Sequence, residues 1–276
     1  MNIGDRDFEE IIKVITHETG IVPRESHRTA IKRYVEERLS TVNPEDVVHY
    51  AAFFSQNQAE LAGLINKATV NETYFFREER QLDFLKSTVF PALLKNNQTL
   101  NIWSAACSSG EEIYTLALVA ASCKVPAVFT ASDINTGVLE KCREGIYGAN
   151  SVRTVDGAKY HPLLLPYKMT DGSYKMSEEL KAKVRTEQIN LSDLVKEPLP
   201  QNLPINQHII FIRNVFIYFT MEMRAKIIQT LAKHCLSKDG YLFVSMNEIA
   251  SIDNSIIPKE LERKVEGSVF YFHKKC

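Results

Sequence analysis

The 276-residue chain is 45% hydrophobic and 24% charged, an ordinary balance for a globular protein with one large or two smaller cores. Its net charge of −1 gives no global basic field for nucleic acid, and its apolar runs, such as 209–212 and 215–219, are short and broken, far below the roughly 20 residues that cross a bilayer. "MNIGDRDFEE" carries acids where a secretory signal would be apolar, and the five cysteines form no Cys-x-x-Cys pair, which predicts reduced thiols in a cytoplasm and no metal site.

Residues 1–70 read as a small helical domain. "DFEEIIKVITHETG" places Phe8, Ile11, Ile12 and Ile15 on one face and stops at Gly20. "PRESHRTAIKRYVEERLS" starts at Pro23 and repeats Ile31, Val35 and Leu39 at helical spacing. "NPEDVVHYAAFF" offers Asn43 as an N-cap and Pro44 at the first helical position, and "AELAGLINKA" follows.

From about residue 78 the pattern alternates. The helix "EERQLDFLKSTVFPALLK" leads to the strand "LNIWSA", then the helix "EEIYTLALVAAS", the strand "AVFTASD" and the helix "NTGVLEKCREG". After a less regular section come the strand "HIIFIRN", the helix "MRAKIIQTLAKHC", and the strands "GYLFVSM" and "SVFYFHK". The alternation predicts an α/β fold with a parallel sheet covered by helices on both faces. The last two strands, with no amphipathic helix between them, predict an antiparallel pair closing that sheet. "YKMTDGSYKM" carries Asp171-Gly172 between matching Tyr-Lys-Met runs, a hairpin signal for a small inserted β-subdomain over 148–188; a plain surface loop is the alternative.

"WSAACSSGEEIY" joins the first strand to a helix. A turn there faces the carboxyl edge of the sheet, where ligands bind, and Gly110 permits close backbone approach. It is neither Gly-x-Gly-x-x-Gly nor a P-loop, and it lacks a lysine for a triphosphate. Glu111 and Glu112 follow instead. They suit the helix dipole, and they also suit a cationic ligand such as an amine or a sulfonium. Asp133 ends the second strand, where dinucleotide folds hold a ribose diol, although it could merely cap the next helix. Together these features suit S-adenosylmethionine. "NETYFFRE" (71–78) sets two aromatics and Arg77 at the junction of the two regions, and "FIRNVFIYF" puts Arg213 and Asn214 at a strand tip. Interdomain packing and a structural salt bridge are the plainer readings of these two.

"NETYFFRE", "WSAACSSGEEIYTLAL", "ASDINTGVLEKCREGIY", "INLSDLV" and "FIRNVFIYF", in that order over residues 68–248, resemble the CheR family of chemoreceptor glutamate methyltransferases. The resemblance implies a Rossmann-like class I methyltransferase domain (71–276), preceded by the all-α domain and carrying the β insertion. It implies S-adenosylmethionine as donor, S-adenosylhomocysteine as product, and the cytoplasmic helical region of chemoreceptors as partner, with the enzyme a monomer. Carried over by motif, it places Asn71, Thr73, Arg77, Ala106, Arg213 and Asn214 around the cofactor. Glu111 would lie near the methionine amino group, Asp133 on the ribose, and Asn190 and Leu191 at the adenine, with Asn190 reading its edge. Two departures stand out. Ile113 replaces the family's proline after the glutamates, and Ser245-Met246-Asn247-Glu248 replaces Gly-His-Ser-Glu.

A glutamate with a pKa of about 4.3 is already an anion at neutral pH, so methyl transfer to it requires no general base. Alignment and a dry site are what such an enzyme has to supply. Arg77 and Tyr218 are the candidates for orienting the carboxylate, and no histidine or cysteine is nominated. Arg24, Arg28 and Lys32, with Arg33 nearby, form a basic stripe on the second helix, suited to docking an acidic receptor helix. A solvated face balanced by Glu25, Glu36 and Glu37 is the plainer reading. A dehydrogenase is excluded by the missing glycines, and no Asn/Asp-Pro-Pro-Tyr motif supports nucleic-acid methylation. A cofactor-binding signalling module, or a methyltransferase of a non-receptor protein, stays open.

Overall fold

The computed structural model describes residues 3–41 and 50–275. Helix α1 (Asp5–Thr19) buries Phe8, Ile11, Ile12 and Ile15, as its periodicity requires, and ends at Gly20, whose φ of 69° suits glycine. Helix α2 (Glu25–Ser40) begins two residues later than Pro23 suggests and turns Ile31, Val35 and Leu39 into the same core. Helices α3 (Tyr50–Gln56) and α4 (Gln58–Ala68) add Phe54 and Leu64. The predicted cap at Asn43-Pro44 lies outside the described residues.

Helix α5 (Glu79–Phe84) runs through a π turn (Leu85–Val89) into α6 (Phe90–Leu93). Strand β1 (Leu100–Ser104), α7 (Glu111–Ser122), β2 (Ala127–Asp133) and α8 (Thr136–Glu144) follow as expected. Next come β3 (Ile146–Tyr147), β4 (Tyr174–Lys175), α9 (Glu178–Lys181), β5 (Val184–Gln188), β6 (Gln207–Phe211), α10 (Met221–Thr230), β7 (Leu236–Phe243), β8 (Leu261–Glu266) and β9 (Val269–Lys274). Seven strands form one sheet in the order β5-β2-β1-β6-β7-β9-β8. The pairs β5-β2, β2-β1, β1-β6 and β6-β7 are parallel, whereas β7-β9 and β9-β8 are antiparallel.

Strand β1 sits between two apolar layers. Leu100 and Ile102 join one, with α7 and Phe75, and Trp103 joins the other, with α10. Successive strand side chains point to opposite faces, so a central parallel strand is apolar throughout. The antiparallel closure is as expected, but two strands of this sheet were not legible. Strand β5 lies inside the section read as irregular, and β8 extends the closing pair to three strands. Both are edge strands.

The longest element of the insertion is a 3₁₀ helix, Ala158–Tyr167, preceded by a shorter one at Ala149–Ser151. The Asp171-Gly172 turn does form, with the Met169 N–H donating to Ser173 O at 2.7 Å. Its returning arm, β4, then pairs with β3 to make a two-stranded ribbon.

Candidate active site

The parallel strands β1, β2, β5 and β6 end at one edge, and the chain direction of the crossovers reverses beside β1. That is where α/β sheets open a crevice. An open cleft lies there, lined by both apolar and charged side chains. Asn71, Thr73, Arg77, Ala106, Asp133, Asn190, Leu191, Arg213, Asn214 and Tyr218 all line it. Residues distant in sequence meet because each follows a strand end or bridges the two regions.

Glu111 does not line the cleft. Its carboxylate turns back to accept the hydroxyls of Ser109 at 2.7 Å and Ser151 at 2.8 Å, and the residue is buried. Neighbouring residues on a helix point about 100° apart, so only one of the two glutamates can face the ligand edge. Glu112 is the one that does. It accepts Ser104 Oγ at 2.6 Å and Arg213 Nε at 2.6 Å.

Arg213 is buried and also donates through Nη1 to Arg77 O at 3.0 Å and Gln81 Oε1 at 3.1 Å, with Glu78 at 3.8 Å. Burial alone would lower its pKa; the Glu112 and Glu78 carboxylates outweigh that and raise it. The structural salt bridge is therefore real, and it lies in the cleft wall.

Asp133 does not cap α8, a task that falls to Asn135 Oδ1 on the Val138 N–H. The Asp133 carboxylate instead accepts the N–H of Ser108 at 2.9 Å and of Asn135 at 3.0 Å, tying the glycine turn to the β2 tip. Burial pushes its pKa up, against the pull of these N–H groups. Gly110 has φ 98°, and a Cβ there would lie 2.5 Å from Cys142 Sγ and 2.9 Å from the Tyr147 hydroxyl oxygen. Only glycine fits this turn.

Asn190 differs from the adenine-reading expectation. Its Nδ2 donates to Glu18 O at 2.6 Å, and its Oδ1 accepts the Ser192 N–H at 3.0 Å. These two bonds tie the side chain to α1 and to its own 3₁₀ turn, and the residue still lines the cleft. The C-terminal end of α1 and the link after it are the feature sequence reasoning missed: Thr19 and Ile21 line the cleft. Gly20 was legible as a helix stop, but no local signal said against what the link would pack.

Arg77 lies 5.2 Å from the Tyr74 ring centroid and donates to Glu72 O at 3.3 Å. Tyr218 is half-buried, and burial raises its pKa, keeping the hydroxyl protonated. Arg24 lies 5.5 Å from the Tyr218 ring centroid. The rest of the basic stripe is engaged elsewhere. Arg28 pairs with Glu9 and Glu25, Lys32 with Asp5 at 3.1 Å, and Arg33 with Glu37 at 3.4 Å.

The cleft lining carries three carboxylates (Glu72, Glu112, Asp133) against two guanidiniums (Arg77, Arg213), alongside the apolar Ile21, Ile134, Leu191 and Phe219. This set fits S-adenosylmethionine: apolar walls for a base, an acid at a strand tip for a diol, and a net negative lining for a cation. Sheet order and site define a Rossmann-like methyltransferase that uses S-adenosylmethionine.

The chain matches the family model "CheR methyltransferase, SAM binding domain" over residues 71–264. It is 32% identical to chemotaxis protein methyltransferase 2 of Vibrio cholerae, over 96% of this chain and 93% of that one. It is 31% identical to the chemotaxis protein methyltransferase of Borreliella burgdorferi, over 90% and 89% of the two chains. For that of Salmonella typhimurium the identity is 31%, over 89% and 84%. The chain belongs to the CheR methyltransferase family, whose enzymes methylate chemoreceptors.

Proposed function

We propose that the cleft methylates glutamate side chains on the helical cytoplasmic region of chemoreceptors, giving methyl esters. The observation that carries this reading is the cleft's own composition: an acid-rich wall suited to a cationic donor, with Arg77 and Tyr218 at the same opening. S-adenosylmethionine supplies an electrophilic methyl group whose C–S electron pair stays on sulfur as the C–O bond forms.

The chain's own residues do the rest. Asp133 holds the ribose diol, the 190–191 backbone and Leu191 flank the base, and Asn71, Thr73 and Ala106 complete the floor. Glu112, rather than Glu111, faces the amino end. Arg77 and the protonated Tyr218 orient the incoming carboxylate without a proton having to move. Ile21, Val215 and Phe219 keep water from the reacting end, where it would weaken every electrostatic contact. Arg77 is partly exposed, so it steers the carboxylate without binding it tightly enough to quench its nucleophilicity.

Within the same reading, 1–70 is the docking domain, 71–276 the methyltransferase domain and 148–188 its insertion, and the enzyme works as a cytoplasmic monomer. Among the described residues no helix is long and apolar enough to cross a membrane. Arg24 is the docking residue nearest the cleft; Arg28, Lys32 and Arg33 give a weaker field because Asp5, Glu9, Glu25 and Glu37 offset them.

The test combines calorimetry with S-adenosylhomocysteine and labelling of receptor-enriched membranes from a methyl-labelled donor. Micromolar binding with base-labile label on receptor is expected. Binding without label would leave the signalling-module reading in its place.

A further inference from the structure

A buried carboxylate lies beneath the turn that carries Asn214 and Tyr218. Glu248 has no solvent exposure. Its Oε2 accepts the N–H of Asn214 at 2.7 Å and of Ser245 at 3.3 Å, and its Oε1 accepts the Ile217 N–H at 3.3 Å. The Phe216 N–H is directed at it as well. One anion thus gathers the end of β6, the 3₁₀ turn Phe216–Tyr218 and the segment after β7.

The anchor fixes the conformation of the turn. Asn214 has φ 58°, in the left-handed region that asparagine enters more readily than most residues, and the Glu248 carboxylate on its N–H holds it there. A carboxylate buried away from water is itself costly unless its lone pairs are satisfied, and here backbone donors satisfy them. A second anchor is alongside. Asn214 Nδ2 donates to Ser245 Oγ at 3.2 Å, and Ser245 Oγ donates to Glu78. Glu78 in turn faces Arg213 in the cleft wall.

We propose that Glu248 is a positioning residue for methyl transfer: it holds the 214–218 turn so that the Tyr218 hydroxyl meets the acceptor carboxylate at the reacting end. The inference rests on the methyl-transfer reading of the cleft. It gives the Ser-Met-Asn-Glu segment a task that does not involve touching substrate. Both of its polar ends, Ser245 and Glu248, grip one turn: Ser245 through the Asn214 side chain and Glu248 through the Asn214 and Ile217 N–H groups.

Glu248→Gln keeps the volume but sets amide N–H groups against backbone N–H donors. Amide exchange at Asn214 and Ile217 is expected to rise by about tenfold or more, because each loses a charge-assisted bond. Turnover at saturating donor and receptor should fall by roughly 10- to 100-fold through misalignment, while the Kd for S-adenosylhomocysteine moves by less than about threefold. Tyr218→Phe added to Glu248→Gln should cost little more, since both remove the same placed hydroxyl. Unchanged exchange, turnover within about twofold of wild type, or losses that multiply in the double variant would overturn the proposal. Should Glu248→Gln fail to fold, Ser245→Ala carries the test: lower turnover with unchanged donor affinity supports the clamp, and unchanged turnover sinks it. Wild-type protein that labels no receptor defeats the reading of the site and this inference together. Active wild type with an unaffected Glu248→Gln defeats the inference alone.

Discussion

Arg213 Nε donates to Glu112 Oε2 at 2.6 Å, inside a cleft wall from which water is nearly excluded. The pair joins the tip of β6 to the first turn of α7, so it fixes the width of the cleft. Removing one partner of a buried ion pair leaves an uncompensated charge. Arg213→Met should therefore destabilise the fold by about 3–5 kcal/mol, with Glu112 and Glu78 both stranded. Thermal unfolding reads this as a drop in Tm of several degrees, and a Tm within about a degree of wild type would contradict it.

Asp133 gives a pH dependence. Its raised pKa means that the folded chain takes up this proton at a higher pH than an ordinary aspartate would. In the window above the usual aspartate value of about 3.9, the native state binds more proton than the unfolded state, so Asp133's contribution to stability rises as pH falls. Cofactor affinity should run the other way, because a protonated Asp133 is a poorer acceptor for a ribose diol. Calorimetry with S-adenosylhomocysteine from neutral pH downward should show weakening that begins above the ordinary aspartate range. Asp133→Asn should weaken binding by about 10- to 100-fold at neutral pH and abolish that part of the pH dependence.

Gly110→Ala sets a Cβ against Cys142 Sγ and Tyr147 in a turn with φ 98°. Backbone strain and overpacking together should cost about 2–4 kcal/mol and displace the Ser108 N–H from Asp133. Loss of cofactor binding along with lowered Tm is the expected pair of results; a variant that binds normally would show that the turn has room to spare.

Arg77→Ala should lower turnover by up to about 100-fold while leaving S-adenosylhomocysteine affinity within about threefold, since the lost contact is to the acceptor carboxylate. Equal losses in both would move Arg77 from orienting the acceptor to holding the cofactor.

The docking stripe separates by pairing. Arg24→Glu should raise the receptor KM by about 3- to 10-fold at low ionic strength, with the effect shrinking as salt screens it. Arg33→Glu, already beside Glu37 and not among the cleft-lining residues, should do less. An equal response from both positions would mean a diffuse field rather than a docking contact near the cleft.

The sequence by itself determined the alternation of elements, the glycine turn and the acid at the tip of β2, because each is written in local periodicity or in a residue that only one backbone conformation accepts. It also carried the family, through motifs whose order survives. It did not carry the strands β5 and β8. Both are sheet edges, "VRTEQ" and "LERKVE", whose charges discourage pairing with another chain and erase the apolar pattern that marks a strand. Nor did it separate Glu111 from Glu112, adjacent in sequence and divided only by which way α7 is turned as it packs. Thr19 and Ile21 entered the site for the same reason: nothing local says against what they pack, and only the docking of the helical region brings them to the cleft. Glu248 was marked by its segment, but only the folding-back of the chain after β7 sets it beneath the 214–218 turn. Periodicity and backbone preference are properties of neighbours along the chain, whereas the direction a carboxylate faces is settled by partners that the chain supplies from a hundred residues away.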